Sequence, residues 1–232
     1  MALDLFVFLP GLLSWTLCFL LCAWLPLWRD TRGNSKLPSV LFSTSIVVHL
    51  LISDAVVNVA ATLADGSGIG GPNNPAQTTA LAWCAAWFAV DLVNDCAVLG
   101  DRGFAMILHH VMGSTVCVVP LFVGYGGCEV LVCMALAECS TPFLSLALVY
   151  KDTALETPLW VVFSALFVFI RGVYATKMLY FTSVSDTHPG NKVLVAGLVI
   201  LSYFWIGLIL KKVGRKTGIL KNRPRKEEKK RS

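Results

Sequence analysis

A chain of 232 residues that is 56% hydrophobic and only 14% charged, with a mean hydropathy of +0.71, carries more apolar surface than one soluble core can hide, and lipid must cover the rest. The net charge of +5 does not point to nucleic acid, because eleven of the nineteen Lys and Arg lie after Leu210; such clustering speaks of membrane topology and an anionic lipid surface. Of the eight cysteines only Cys128 approaches a loop, so no disulfide framework is implied.

Seven apolar stretches are long enough to cross the bilayer, since a helix rising ~1.5 Å per residue needs roughly 20 residues for ~30 Å of hydrocarbon. The first, Asp4–Trp28, follows an N-terminus without the basic region of a cleaved signal peptide and reads as an uncleaved span. The second runs Pro38–Leu63. A glycine- and proline-rich loop over residues 65–77, with Asp65 as its one charge, then reads as flexible and exposed on the outer side. The third and fourth spans are Thr78–Leu99 and Phe104–Tyr125, and Pro120 is expected to bend the fourth before it emerges. A glycine hairpin at 124–128 leads into the fifth, Cys128–Val149, followed by Thr157–Phe181 and Lys192–Leu210. The fold class is therefore all-α, a polytopic transmembrane helical bundle of about seven helices.

An odd number of spans puts the termini on opposite sides, and the loop charges choose which. Arg29, Arg32, Lys36, Arg102, Lys151 and the tail cations fall on one side, and only Lys192 on the other. The N-terminus is thus expected to be lumenal or extracellular and the C-terminus cytosolic. The chain divides into a first span and loop start (1–31), a six-helix bundle (32–213) and a basic cytosolic tail (214–232). No internal repeat suggests a duplicated transporter.

The informative residues are ionisable groups where lipid should have excluded them: His49, Asp54, Asp91, Asp95, His109, His110, Glu138, Arg171 and Lys177. Each costs about 2.5–3.5 kcal/mol at the bilayer centre on insertion scales, so such groups face the bundle interior and find partners. Asp91 and Asp95 share one helix face with Trp83 and Trp87. Helical rise places Asp91, Asp95, His109, His110 and Glu138 in the cytosolic leaflet within reach of one polar cavity, with Arg171 close enough to Glu138 for an ion pair. Lys177 is expected to snorkel to the outer surface.

Phe88-Ala89-Val90-Asp91, then Leu108-His109-His110-Val111-Met112, the hairpin after Gly124, and Ala137-Glu138-Cys139-Ser140-Thr141-Pro142-Phe143-Leu144 together resemble the TLC domain shared by translocating-chain-associated membrane proteins, ceramide synthases and a lipofuscinosis protein. The resemblance covers nearly the whole chain and is closest to the short branch outside the ceramide synthases. In ceramide synthases the paired histidines and a later His-Asp-x-x-Asp element are catalytic in an N-acyltransferase, and the helices surround a tunnel for an acyl chain. His109 and His110 match the first element. The second is replaced by 137–141, where one acid survives as Glu138, which argues against ceramide synthesis itself.

Three functional readings follow. In the first, the bundle binds a membrane lipid or fatty acyl chain and thereby senses or adjusts lipid composition, with Asp95, Trp87, Ser140 and Arg171 in the lipid pocket and no cofactor. In the second, His109 or His110 serves an acyltransferase as base or acyl carrier, Asp91 or Glu138 sets its protonation, and acyl-CoA enters as co-substrate beside Arg102. The third is an intramembrane metal hydrolase, although adjacent histidines point about 100° apart on a helix and supply no easy ligand pair. The same histidines and acids also serve helix packing through hydrogen bonds. Ser140 and Cys139 lie close to Glu138, without a motif that marks a nucleophile. Finally, Lys229 and Lys230 resemble a dilysine retrieval signal of the endoplasmic reticulum, and the tail as a whole suits an anionic cytosolic leaflet.

Overall fold

The computed structural model describes residues 5–23, 36–52, 56–97 and 104–216. Among them the chain is almost entirely helical: α1 (Leu5–Ala23), α2 (Leu37–Ile52), α3 (Val59–Asp65), α4 (Pro75–Ala97), α5 (Phe104–Val123), α6 (Gly127–Glu138), α7 (Thr141–Val149), α8 (Glu156–Phe169), α9 (Ala175–Val184) and α10 (Pro189–Lys216). Four continuous stretches are long and apolar enough to cross a membrane, at Pro75–Val93, Gly127–Val149, Glu156–Val184 and Pro189–Gly214. Three shorter apolar helices, over Phe8–Cys22, Leu37–Leu50 and Ile107–Val123, bring the total to seven.

The second predicted span is corrected: helix does not run through 38–63 but breaks before Asn58, whose side chain caps α3 by accepting from the Ala61 amide at 2.9 Å. Asn satisfies an orphan N–H of a new first turn better than it continues an old helix. The fifth span bends at Cys139–Ser140, because Pro142 has no amide to donate to the Glu138 carbonyl one turn back. The sixth carries a π-turn at Ile170–Tyr174 between α8 and α9. Each of the last two irregularities falls beside an ionisable residue, Glu138 or Arg171.

Helix α6 is the central post. Ten of its twelve residues are buried, Glu129 and Glu138 among them, as expected for a helix enclosed by neighbours on every side. It is surrounded by α2, α4, α5, α9 and α10. Trp15 of α1 packs against Trp83 and Trp87 of α4 at 5.3 and 4.9 Å, and Trp87 stacks on Phe42 of α2 at 4.5 Å. Outward faces keep large apolar side chains exposed, among them Leu13, Val161, Val193 and Ile200, a surface that only lipid accommodates on this scale.

The loop over 65–77 is a second correction, since it is pinned and not free. Asn73 N donates to the Gly124 carbonyl at 2.8 Å, Gly126 N to Gly71 at 3.1 Å, and Asn73 Oδ1 accepts from Gly127 N at 2.7 Å. Gly70 N donates to Glu129, a fully buried carboxylate that also accepts from the Thr187 hydroxyl. A glycine-rich composition reads as mobile because it cannot reveal partners 50 residues away. At the exposed rim, the Ser67 hydroxyl and amide bond the Asp65 carboxyl and hold it below its ordinary pKa.

Candidate functional site

At the opposite end from this cap the bundle encloses a cavity of about 820 Å³. Its mouth is formed by Lys36, Lys151, Glu156 and Lys212, and Lys212 Nζ lies 3.6 Å from the centre of the Trp160 ring. Its middle is walled by Leu144, Leu148, Phe163, Phe167, Leu208 and Ile209. Its deep end carries the polar set: Asp91, His109, His110, Glu138 and Arg171. A second, much smaller chamber of about 40 Å³ continues past His109 among Gly113, Met134, Val195 and Val199.

Each deep residue is placed by a different element. Asp91 projects from α4 and is buried; its Oδ2 lies 3.3 Å from His110 Nδ1 on α5. Phe88, one turn before Asp91, sets its ring edge-on against both imidazoles, at 6.4 Å from His109 and 6.1 Å from His110. His109 and His110 are themselves nearly perpendicular, 5.5 Å apart. Successive residues on α5 thus present different directions, and Phe88 fills the angle between them. Gly113 permits this approach, because a Cβ there would stand 2.7 Å from the Phe88 ring. His109 Nδ1 is buried without a hydrogen-bond partner among the described residues. Glu138, at the α6 terminus, accepts from the Ser43 hydroxyl of α2 at 2.7 Å.

Arg171 departs from expectation. It makes no ion pair with Glu138: its Nη2 donates to the Ala137 carbonyl at 3.1 Å and its Nη1 to the Ser202 hydroxyl at 3.4 Å. The guanidinium stacks on Phe167, 4.6 Å from the ring centre. The π-turn inserts one extra residue into α8–α9 and re-aims the side chain, a common device at functional sites.

The remaining sequence expectations divide. Ser140 and Trp87 line the same cavity, though Trp87 spends most of its surface on Phe42 and Trp15. His49 sits on the exposed face of α2 and not in the interior. Lys177 donates to the Ala64 carbonyl at 3.3 Å, at the end of the bundle where α3 and α9 meet. The Asp95 side chain, Asp54, Arg102, Lys229 and Lys230 lie outside the described residues. Sequence reading missed Ser43, buried and bonded to Glu138, and the lysine mouth, where Lys36 and Lys151 had counted only as topology signals. A serine inside an apolar helix gives no signal of its partner, which comes from 95 positions away. Among the described residues no three His, Cys, Asp or Glu come together as a metal-binding group.

The TLC domain (TRAM_LAG1_CLN8) matches residues 4–211. The chain belongs to the TLC domain family. No curated protein matches it. Membership places this polytopic membrane protein among proteins of lipid metabolism or sensing.

The Asp91–His110 contact yields a direct expectation. Asp91→Asn keeps the shape and removes the charge, so it should cost about 1 kcal/mol, the scale of polar contacts inside membranes. Thermal unfolding in detergent should fall by a few degrees; no change would mean that the contact carries no weight in the fold.

Proposed function

We propose that the protein takes the acyl part of a membrane lipid into the large cavity and so binds, senses or adjusts membrane lipid composition. The observation that carries this reading is the cavity itself: about 820 Å³, within the range of small-molecule sites, apolar along its middle and polar at both ends. Within the family we take the chain to be most like the TLC domain-containing protein 5 (transmembrane protein 136) type, since residues 137–141 stand where ceramide synthases carry a His-Asp-x-x-Asp element. The loop charges put the lysine mouth in the cytosol, and the tail lysines suit residence in the endoplasmic reticulum.

A second reading is acyl transfer, favoured by the Asp91–His110 pair at 3.3 Å. There His110, oriented by Asp91, would take a proton from an attacking hydroxyl or amine as it adds to an acyl thioester carbonyl, and the thiolate would leave.

Lipidomics of cells with and without the protein, repeated with His109→Ala/His110→Ala, separates the readings. A profile shifted by the wild type and equally by the double variant supports binding. A shift that the double variant abolishes, together with acyl-CoA consumption by the purified wild type alone, supports transfer. An unchanged profile in both would count against the two together.

A further inference from the structure

We propose that Arg171 makes the deep end of the cavity a carboxylate site, so that the ligand it selects is a long-chain fatty acid bound head-inward. The inference deepens the cavity reading above and depends on it. A guanidinium carries five N–H donors and keeps its charge. Here two donors are used, by Ser202 and the Ala137 carbonyl, while Nε has no acceptor among the described residues. Three donors therefore remain on a side chain that lines the cavity, the Nε among them buried.

Glu138 acts on this charge across the cavity without touching the guanidinium. Among the described residues no carboxylate closes an ion pair with Arg171, since Glu138 turns to Ser43 instead. A cation without a contact partner at this depth normally acquires one or marks a ligand site. The partner that fits a planar fork of donors is a carboxylate, through short charge-assisted bonds. From Arg171 the route to the mouth follows α8 past Phe167 and Phe163 to Trp160, roughly 16 Å of helix. That wall is apolar and aromatic, so what trails the carboxylate is a hydrocarbon chain. The small chamber beyond His109, at about 40 Å³, holds no chain, which fixes the head inward and the tail toward the mouth.

The test uses the full chain in nanodiscs and compares binding of radiolabelled oleate with oleyl alcohol, which has the same tail and no charge. The wild type should prefer oleate by about tenfold or more. Arg171→Gln should erase that preference while binding oleyl alcohol as before, and Lys151→Ala/Lys212→Ala at the mouth should keep it. Equal affinities in the wild type, or a preference that survives Arg171→Gln, would overturn the site while leaving the cavity reading standing. A preference lost with the mouth lysines would place the carboxylate at the cytosolic end and overturn it without any need for Arg171→Gln to fold. Binding of neither ligand would defeat both readings.

Discussion

Gly126→Ala should lower the thermal unfolding temperature by about 8 °C, the largest effect expected of a single methyl group in this protein. Gly126 has φ +84° and precedes α6, the central post. An alanine there costs about 1–2 kcal/mol from the left-handed backbone alone. Its Cβ would also stand 1.8 Å from Asn191 Nδ2 and 2.7 Å from Glu129 Oε1. Asn191 is fully buried and donates to the Tyr125 carbonyl and to Thr187 Oγ1, both at 3.3 Å. The methyl group therefore displaces the amide that ties α10 to the hairpin, adding overpacking of about 1–3 kcal/mol. Gly207→Ala in the middle of α10 is the control. Nothing lies within 4 Å of its Cβ, and a helical alanine is favoured over glycine by up to about 1 kcal/mol. A Gly126→Ala protein as stable as the wild type would show that the outer cap does not hold the bundle together.

The second large effect concerns the cavity. Ser39→Trp with Leu144→Trp adds two indoles to the cavity lining, from the neighbouring helices α2 and α7. Both positions are half-buried, so the added rings enter the cavity without displacing fully packed side chains. The lipid that co-purifies with the protein should fall by about tenfold relative to the wild type, because a filled site excludes its ligand sterically. Thermal stability should hold or rise, as filling a void adds contacts. Quantitative mass spectrometry of extracted lipid reads the first expectation and a detergent melt the second. Unchanged lipid in a folded double variant would mean that the acyl chain sits elsewhere and would remove the basis for the proposed function.

Much of this architecture is written locally. Hydropathy over about twenty residues marks a span wherever it sits in the chain, so the polytopic all-α class, the seven apolar segments and the hairpin at Gly124–Cys128 are legible without tertiary knowledge. The grouping of Asp91, His109, His110 and Glu138 is legible too, because helical rise converts residue number into depth. The failures within the site share one cause. Depth says how far along the bilayer normal a group lies and nothing of its azimuth. Arg171 and Glu138 were expected to pair, yet the π-turn at Ile170–Tyr174 turns the guanidinium to the Ala137 carbonyl, and α2 brings Ser43 to Glu138. His49 shares a helix with Ser43 but faces outward.

By itself, then, the sequence determined what kind of solvent the chain lives in, where its apolar helices lie and which polar residues gather at one end of the bundle, all consequences of composition and period along one helix. Only the tertiary structure decided that those residues close one end of an 820 Å³ cavity, that lysines from three segments rim the other, and that Arg171 keeps spare donors. The physical reason is that a cavity is space left between helices. Its shape follows from breaks at Asn58, Pro142 and Ile170–Tyr174 and from side chains far apart in the chain, and no local pattern of residues encodes it.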